Sequence, residues 1–206
     1  MKQPMTAKDF ARETGASLET MKRLDRFVAL LEKWQSVKNL VGKSTLPDVW
    51  HRHMLDSAQL APLVAKIPGG IADIGSGAGF PGLVLAIMTG RHVHLIESDA
   101  GKCAFMAEAA RATDAPVTIL NRRIESVTDI KFAVVTARAV AQLSELIGLA
   151  AAVLELGGSC FFFKGQRVSD ELTKALKRWN MIVTRIPSVT DKDAAILKLE
   201  MIARKP

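Results

Sequence analysis

Apolar residues recur at helical spacing through the N-terminal third of the chain, which predicts amphipathic helices there. The clearest of them begins after Ser17, a typical N-cap residue, and extends to about Trp34. A second helix is predicted to follow Pro47 and Asp48 and to end near Pro62. The N-terminal third is therefore expected to be helical.

A different pattern begins at residue 71, where short apolar runs alternate with helical stretches. Five runs predict buried strands: Ile71–Ile74, His92–Ile96, Val117–Leu120, Phe132–Ala137 and Ser159–Phe163. Four intervening or following stretches predict helices: Pro81 to about Met88, Gly101 to about Ala112, residues 142–155 and Asp170–Arg178. Two final runs predict an antiparallel pair: Met181–Ile186 and Ile196–Ile202. This order predicts an α/β fold with a mainly parallel sheet, which binds ligands beyond the carboxyl ends of its strands.

The length of 206 residues suits one domain of ordinary size. We predict a helical extension over residues 1–66, packed on an α/β core over residues 67–206, within one structural unit. Apolar residues make up 49% of the chain, enough for a sizeable core and too many for a disordered chain. Two cysteines exclude a disulfide scaffold and a four-thiolate zinc site.

Hydropathy and charge narrow the class of partner. No apolar run reaches the roughly 18 residues that a membrane-spanning helix needs, and the N-terminus lacks the apolar segment of a secretory signal. We therefore expect a cytoplasmic protein without membrane contact. The length fits a monomer. Lys and Arg total 28 against 21 Asp and Glu, a net charge of +7, which favours a polyanionic partner such as nucleic acid.

The strongest local signal is the glycine-rich segment Asp73–Gly82, which links the first predicted strand to the helix that follows. Glycine tolerates positive φ angles and lets the backbone approach a ligand closely. In one interpretation Gly77, Gly79 and Gly82 form a dinucleotide-binding G-x-G-x-x-G motif, with Glu97 twenty residues after the first of them. This interpretation predicts an NAD(P)-dependent oxidoreductase.

In the other interpretation Gly75, Gly77 and Gly79 form a G-x-G-x-G turn for S-adenosylmethionine, introduced by Asp73. Asp73 would meet the ammonium group of that cofactor, and Glu97 would meet its ribose hydroxyls. A carboxylate beside the turn would repel a pyrophosphate on the helix N-terminus, whereas S-adenosylmethionine carries no phosphate. Asp73 therefore favours S-adenosylmethionine over a dinucleotide.

Four segments carry a family resemblance: Arg52–Ser57 (R-H-M-L-D-S), Asp73–Gly82 (D-I-G-S-G-A-G-F-P-G), Arg138-Ala139 and Lys164-Gly165-Gln166. In order and spacing they resemble the bacterial glucose-inhibited division protein B family, the small-subunit rRNA guanine-N7 methyltransferases. The resemblance implies a class I, Rossmann-like methyltransferase fold. It also implies S-adenosylmethionine as donor, with S-adenosylhomocysteine as product. The implied acceptor is N7 of a guanine at about nucleotide 527, in the single-stranded decoding-site loop of 16S rRNA.

The resemblance also implies individual cofactor contacts. It places Gly75 and Phe80 at the glycine turn, Ile124 and Glu125 beside the adenine, and Arg138 at the end of the fourth strand. Phe80 is the obvious aromatic residue of the site, so stacking of the target base on its ring is a further hypothesis. The substrate would be 16S rRNA alone, the small subunit or an assembly intermediate.

The chemistry of N7 methylation sets low demands on catalytic groups. Guanine N7 carries a free lone pair and no proton, so alignment and desolvation matter more than a general base. We therefore expect no metal and no catalytic nucleophile, with Arg138, Lys164 and His53 as candidates for positioning the substrate. Asp56 is expected either to act as a cap or to pair with Arg52, four residues earlier on the same helix face.

Basic residues near the strand ends predict an RNA-binding rim. Its candidates are Arg122, Arg123, Lys164 and Arg167, continued by Lys174, Lys177 and Arg178. Lys164 is expected to contact a backbone phosphate. A non-catalytic RNA-binding module remains an alternative to either enzyme, and it would bind RNA without transferring a methyl group.

Overall fold

A seven-stranded sheet forms the centre of the computed structural model, which describes residues 3–206. Its strands are β1 (Ile71–Ile74), β2 (Val93–Glu97), β3 (Val117–Asn121), β4 (Phe132–Arg138), β5 (Leu154–Lys164), β6 (Trp179–Pro187) and β7 (Ala195–Arg204). The spatial order is β3-β2-β1-β4-β5-β7-β6, with the first five strands parallel and β7 antiparallel to both β5 and β6. This confirms the predicted mainly parallel sheet with an antiparallel closing pair.

Helices cover both faces of the sheet. They are α1 (Ala7–Thr14), α2 (Leu18–Gln35), α3 (Asp56–Ala58), α4 (Ala61–Val64), α5 (Gly82–Thr89), α6 (Ala100–Thr113), α7 (Leu143–Ala151) and α8 (Val168–Leu176). One face packs against α2, α5 and α6, and the other against α7 and α8. Within residues 3–206 no helix combines the length and apolar content needed to cross a membrane.

Helix α2 begins where the sequence predicts. The Ser17 hydroxyl accepts a hydrogen bond from the Thr20 N–H at 3.1 Å, which satisfies one of the unpaired donors of the first turn. Further along α2, the Arg23 guanidinium donates to the carbonyls of Thr113 and Asp114, at 2.6 and 2.7 Å. These carbonyls lie at the end of α6, so Arg23 fixes the N-terminal helix to the core.

The N-terminal helices share a hydrophobic core with the sheet. Leu24 and Phe27 of α2 are fully buried in the same cluster as Leu83 of α5 and Phe105 of α6. The Phe27 ring lies 5.1 Å from the ring of Phe80, which ends the glycine turn, and 6.1 Å from that of Phe105. The helical extension is therefore part of the packing that supports the glycine turn.

The predicted single helix from Pro47 to Pro62 is wrong. The segment instead forms a 3₁₀ turn over Lys43–Asp48, a π-helical turn over Trp50–Leu55, and then the short helices α3 and α4. Pro62 lies in the first turn of α4, where backbone N–H groups have no acceptor within the helix. The lack of an N–H in proline therefore costs no helical hydrogen bond there. The wider π turn brings His53 into the interior of the protein.

The connection between α7 and β5 also differs from the prediction. The helix ends at Ala151 instead of near residue 155, and β5 begins at Leu154, opposite Phe132. The register then shifts, so that Ser159 lies opposite Val134. A pair of glycines, residues 157 and 158, allows this irregularity, and the first has a φ of +79°. Apolar periodicity does not report such a bulge.

We expect Phe27→Ala to lower the free energy of unfolding by about 3–5 kcal/mol while unfolding remains a single transition. The substitution leaves a cavity in the core shared by α2, α5 and α6. Leu18→Ala on the same helix is the matched control, because Leu18 is 77% exposed and its loss should change stability by under about 0.5 kcal/mol. Urea unfolding followed by circular dichroism measures both. Two separate transitions would contradict a shared core.

Candidate active site

Two cavities open at the carboxyl ends of the parallel strands, as expected for such a sheet. The smaller cavity, about 220 Å³, is bordered by the ends of β1 and β2, residues 122–125 and the start of α7. The larger cavity, about 450 Å³, is bordered by residues 45–56, the ends of β4 and β5, and the β6–β7 loop. Ala141, between β4 and α7, lines both cavities. The loop that follows β4 thus forms a partition between them.

The glycine turn forms one wall of the smaller cavity. Gly75, Gly77 and Gly79 have φ angles of +63°, +57° and +84°, in the region that favours glycine. A Cβ atom on Gly75 would lie 2.7 Å from a methyl group of Val140, which belongs to the loop after β4. Glycine at position 75 therefore permits both the turn and the close approach of that loop.

Asp73 lies beneath the turn. Its carboxylate is completely buried and accepts hydrogen bonds from the Gly82 N–H at 3.1 Å and the Thr136 hydroxyl at 2.8 Å. Burial raises the pKa of Asp73 to about 6, and its hydrogen bonds oppose that rise. The carboxylate lines neither cavity. In this arrangement Asp73 holds the turn against α5 and β4, and its expected contact with a cofactor ammonium group stays a prediction.

Glu97, at the end of β2, lies on the wall of the smaller cavity. One carboxylate oxygen accepts from the Gly77 N–H at 2.9 Å, and the other accepts from the Asp99 N–H at 2.9 Å. Gly75, Ile124 and Glu125 line the same cavity. The structure therefore brings four of the predicted cofactor-binding residues together, and their contacts with a cofactor stay a prediction.

The hydrogen bonds of the turn distinguish the two candidate cofactors. A pyrophosphate at such a turn is bound by backbone N–H groups at the start of the helix. Here the N–H groups of Gly77 and Gly82 already donate to Glu97 and Asp73. Two carboxylates at this position would also repel a phosphate. The smaller cavity therefore fits a nucleoside ligand without phosphates, and the dinucleotide interpretation loses its binding site.

Two predicted RNA-binding residues lie beside the smaller cavity. Arg122 and Arg123 line its wall, and neither lines the larger cavity. Arg122 forms an ion pair with Asp129 at 2.9 Å. Both arginines therefore lie near the strand carboxyl ends as expected, at the smaller cavity, and their contact with RNA stays a prediction.

Arg138 organises the larger cavity. One terminal nitrogen donates to the Arg52 carbonyl at 3.2 Å and to an Asp56 carboxylate oxygen at 3.0 Å, and the other donates to His53 Nδ1 at 2.9 Å. Asp56 therefore pairs with Arg138, and the prediction that it pairs with Arg52 is wrong. The guanidinium carbon also lies 5.2 Å from the centre of the Phe80 ring, within the range of a cation–π contact.

The contacts of His53 define its protonation state. Nδ1 accepts from Arg138, so the ring hydrogen is assigned to Nε2, which donates to the Thr45 hydroxyl at 2.7 Å. Burial, followed by the positive charges of Arg138 and Arg52, lowers the pKa of His53 to about 3. The imidazole is therefore neutral at physiological pH and orients Arg138.

Phe80 does not present a stacking surface. Its side chain is only 4% exposed and packs between the rings of Phe27, at 5.1 Å, and His53, at 5.0 Å. Stacking of a substrate base on Phe80 is therefore wrong for this arrangement. The ring instead connects the helical extension to Arg138 and His53.

The β6–β7 loop closes the outer side of the larger cavity through contacts that the sequence did not reveal. The Thr190 hydroxyl donates to Asp56 at 2.7 Å, and the Val189 N–H donates to the Gln59 side chain at 3.1 Å. Gln59 also donates to Asp56 at 3.0 Å. The sequence shows a polar loop between the last two strands, but nothing in that loop identifies Asp56 as its hydrogen-bond partner.

Lys164, the last residue of β5, is almost fully buried. Its ammonium group donates to the Ala141 carbonyl at 2.8 Å and to Glu171 at 2.9 Å. These internal partners take two of the three hydrogens of the ammonium group, and the expected phosphate contact of Lys164 stays a prediction. Glu171 was not predicted as a site residue, although the sequence places it at the start of the helix predicted from Asp170. Arg167, just before α8, is exposed beside this pair.

Comparisons with known proteins agree on a single family. A family model described as rRNA small subunit methyltransferase G matches residues 20–197. The ribosomal RNA small subunit methyltransferase G of Paramagnetospirillum magneticum is 50% identical over 200 residues, covering 97% of this chain and 98% of that protein. Its namesake from Rhodospirillum rubrum is 47% identical over 200 residues, covering 97% and 100%.

Solved structures share the fold at low sequence identity. A glycopeptide N-methyltransferase complexed with S-adenosyl-L-methionine matches with a TM-score of 0.60 at 12% identity, over 72% of this chain and 94% of that one. A T. thermophilus 16S rRNA N2 G1207 methyltransferase in complex with AdoMet and guanosine matches with a TM-score of 0.52 at 18% identity, over 70% and 42%. These matches confirm the predicted class I methyltransferase fold.

We expect the protein to lose stability as the pH falls from about 6.5, the ordinary pKa of histidine, towards the pKa of His53 near 3. The unfolded chain then takes up a proton that folded His53 excludes, which costs about 1.4 kcal/mol per pH unit. His53→Gln keeps a donor and an acceptor but does not titrate, so the variant should lack this contribution. Urea unfolding of both proteins across this range measures the difference, and parallel pH profiles would contradict the assignment.

Proposed function

The chain belongs to the rRNA small subunit methyltransferase G family, and from this premise we propose that it transfers the methyl group of S-adenosylmethionine to N7 of a guanine in 16S rRNA. The proposed target is the guanine at about nucleotide 527, in the single-stranded decoding-site loop. Such a substrate places the protein in the cytoplasm, where we expect it to act as a monomer. The larger cavity would hold the base, and the smaller one the nucleoside of the cofactor.

One observation carries the choice of cofactor: Glu97 and Asp73 occupy the N–H groups of Gly77 and Gly82. Because these N–H groups are occupied, the smaller cavity presents the Glu97 carboxylate and apolar side chains and offers no phosphate site. S-adenosylmethionine fits these groups because it has ribose hydroxyls and an adenine and carries no phosphate. Glu97 would accept from the ribose hydroxyls, and Ile124 would pack beside the adenine.

The site supports methyl transfer by positioning. S-adenosylmethionine supplies a methyl group on a sulfonium, which the N7 lone pair takes while the electrons of the broken C–S bond return to sulfur. N7 loses no proton, so the chemistry requires no general base, and no residue is assigned that role. His53 and Asp56 hold Arg138, and Ala141 brings the walls of the two cavities together.

Exposed basic residues that lead away from the larger cavity along helix α8 support an rRNA substrate. Helix α8 follows Lys164, and four cationic side chains on or next to this helix are exposed: Arg167, Lys174, Lys177 and Arg178. We assign them to the RNA backbone, because contacts with phosphates provide affinity and orientation. The net charge of +7 acts in the same direction.

Replacing the target guanine by 7-deazaguanine should abolish methyl transfer, because a C–H group then stands where the accepting lone pair was. The measurement is transfer of labelled methyl from S-adenosylmethionine to small subunits assembled on unmethylated rRNA with either base. Mapping the modified nucleotide in the guanine sample identifies the target. Undiminished labelling of the 7-deazaguanine subunits would contradict N7 as the acceptor.

Gly75→Ala should weaken S-adenosylmethionine binding by at least about tenfold, because the new methyl group would push Val140 into the smaller cavity. Gly15→Ala is a matched control: Gly15 has a φ of +65° against +63° for Gly75, but it has open space around it. Both variants should lose about 1–2 kcal/mol of stability through the same backbone strain. Isothermal titration calorimetry measures the affinities. Equal affinities would show that Gly75 does not shape the cofactor site.

A further inference from the structure

Lys164 and Glu171 form a buried ion pair on the wall of the larger cavity. Their side chains are 8% and 14% exposed, and the ammonium nitrogen lies 2.9 Å from the nearer carboxylate oxygen. Both residues line the larger cavity. Lys164 also donates to the carbonyl of Ala141, which borders both cavities. The pair therefore lies next to the partition across which the methyl group must pass.

The pair retains hydrogen-bonding capacity towards the cavity. An ammonium group has three hydrogens, and the contacts of Lys164 within residues 3–206 use two of them. Over the same described range, Glu171 accepts from Lys164 and from the Leu143 N–H through Oε2 only. One donor of Lys164 and the Oε1 acceptor of Glu171 thus remain unused, on two paired residues that line the larger cavity.

Because Glu171 is ionised, the roles of donor and acceptor within the pair are fixed. Burial by itself would raise the pKa of Glu171, but the hydrogen bonds from Lys164 and Leu143 outweigh it and the pKa is lowered. At neutral pH the group is a carboxylate, which only accepts hydrogen bonds, and the ammonium group only donates them. The pair cannot reverse its pattern to suit a different base.

Guanine presents the complementary pattern. Its O6 is an acceptor and the adjacent N1–H is a donor, whereas adenine has a donor at position 6 and an acceptor at N1. O6 lies on the same side of the base as N7, the proposed methyl acceptor. A base whose N7 faces the partition would therefore bring O6 near Lys164, which contacts that partition.

We propose that the Lys164–Glu171 pair selects guanine, with Lys164 donating to O6 and Glu171 Oε1 accepting from N1–H. This inference rests on the proposed function, since it takes guanine as the substrate. Asp56 is a weaker candidate because both of its oxygens are engaged, one by Arg138 and the other by Thr190 and Gln59. Asp191 is another carboxylate on the cavity wall and is the alternative candidate for selecting the base. The second test below therefore includes it.

The first test uses the wild-type enzyme and small subunits assembled on rRNA with one altered base at the target. Hypoxanthine keeps O6 and N1–H but lacks the 2-amino group, whereas 2-aminopurine keeps that group and N7 but lacks O6 and N1–H. We expect kcat/KM within about tenfold of guanine for hypoxanthine, and a loss of at least about 100-fold for 2-aminopurine. Efficient methylation of 2-aminopurine, or an equal loss with both analogues, would overturn the proposal.

The second test asks whether Glu171 causes this preference. In Glu171→Gln the amide can donate to the unprotonated N1 of 2-aminopurine. The ratio of kcat/KM for guanine to kcat/KM for 2-aminopurine should therefore fall by at least about tenfold. Asp191→Asn makes the same acid-to-amide change on the same cavity wall and should keep the wild-type ratio. Asp170→Asn, next to Glu171 on the exposed side of α8, should keep both the ratio and the activity.

The outcomes distinguish a role of Glu171 in selecting the base from a role in supporting the loop after β4. If Glu171 only supports the loop after β4, Glu171→Gln will lower both rates equally and leave the ratio unchanged, which would overturn the proposal. If the ratio of kcat/KM for guanine to that for 2-aminopurine falls in Asp191→Asn and not in Glu171→Gln, Asp191 selects the base. That result would also overturn the proposal. Failure of the wild type to methylate the guanine subunit would overturn the proposed function together with this inference.

Discussion

The site depends on one buried carboxylate. Asp73 is enclosed between β1, β4 and the start of α5, and it accepts from the Thr136 hydroxyl and the Gly82 N–H. A buried anion is tolerated only where hydrogen bonds compensate for lost hydration, so these donors must remain in place. The constraint fixes the turn that contains Gly75 and Gly77, and it removes the helix N-terminus from the groups available to a phosphate.

The shape of the turn determines how the two cavities meet. Gly75 has no side chain, so Val140 from the loop after β4 packs directly against it. Ala139, which precedes Val140, has a φ of +55°, and such a strained residue persists only where its surroundings hold it. Lys164 supplies one restraint through its hydrogen bond to the Ala141 carbonyl. The partition between the cavities is therefore held from the glycine turn on one side and from β5 on the other.

Sequence patterns predicted the features that local physics determines. The strands of the sheet and the Ser17 cap follow from apolar periodicity and from unpaired N–H groups. The partner of Asp56 could not be predicted this way, because Arg52 is four residues away whereas Arg138 is 82 residues away and approaches only in the folded sheet. Glu171 was missed for a different reason: it is only seven residues from Lys164, but a carboxylate in the first turn of a helix usually faces solvent.

The charge balance of the larger cavity follows from two ion pairs in its wall. Methylation of a neutral base at N7 creates a cation inside the cavity, and unpaired cations in its wall would oppose that change. The two cationic side chains in the least exposed part of the wall, Arg138 and Lys164, are each paired with a carboxylate, at 3.0 and 2.9 Å. Paired in this way, they keep their directional N–H groups while much of their repulsion towards the developing charge is cancelled. Such a cavity can orient a guanine through cationic donors without opposing the positive charge that the guanine acquires.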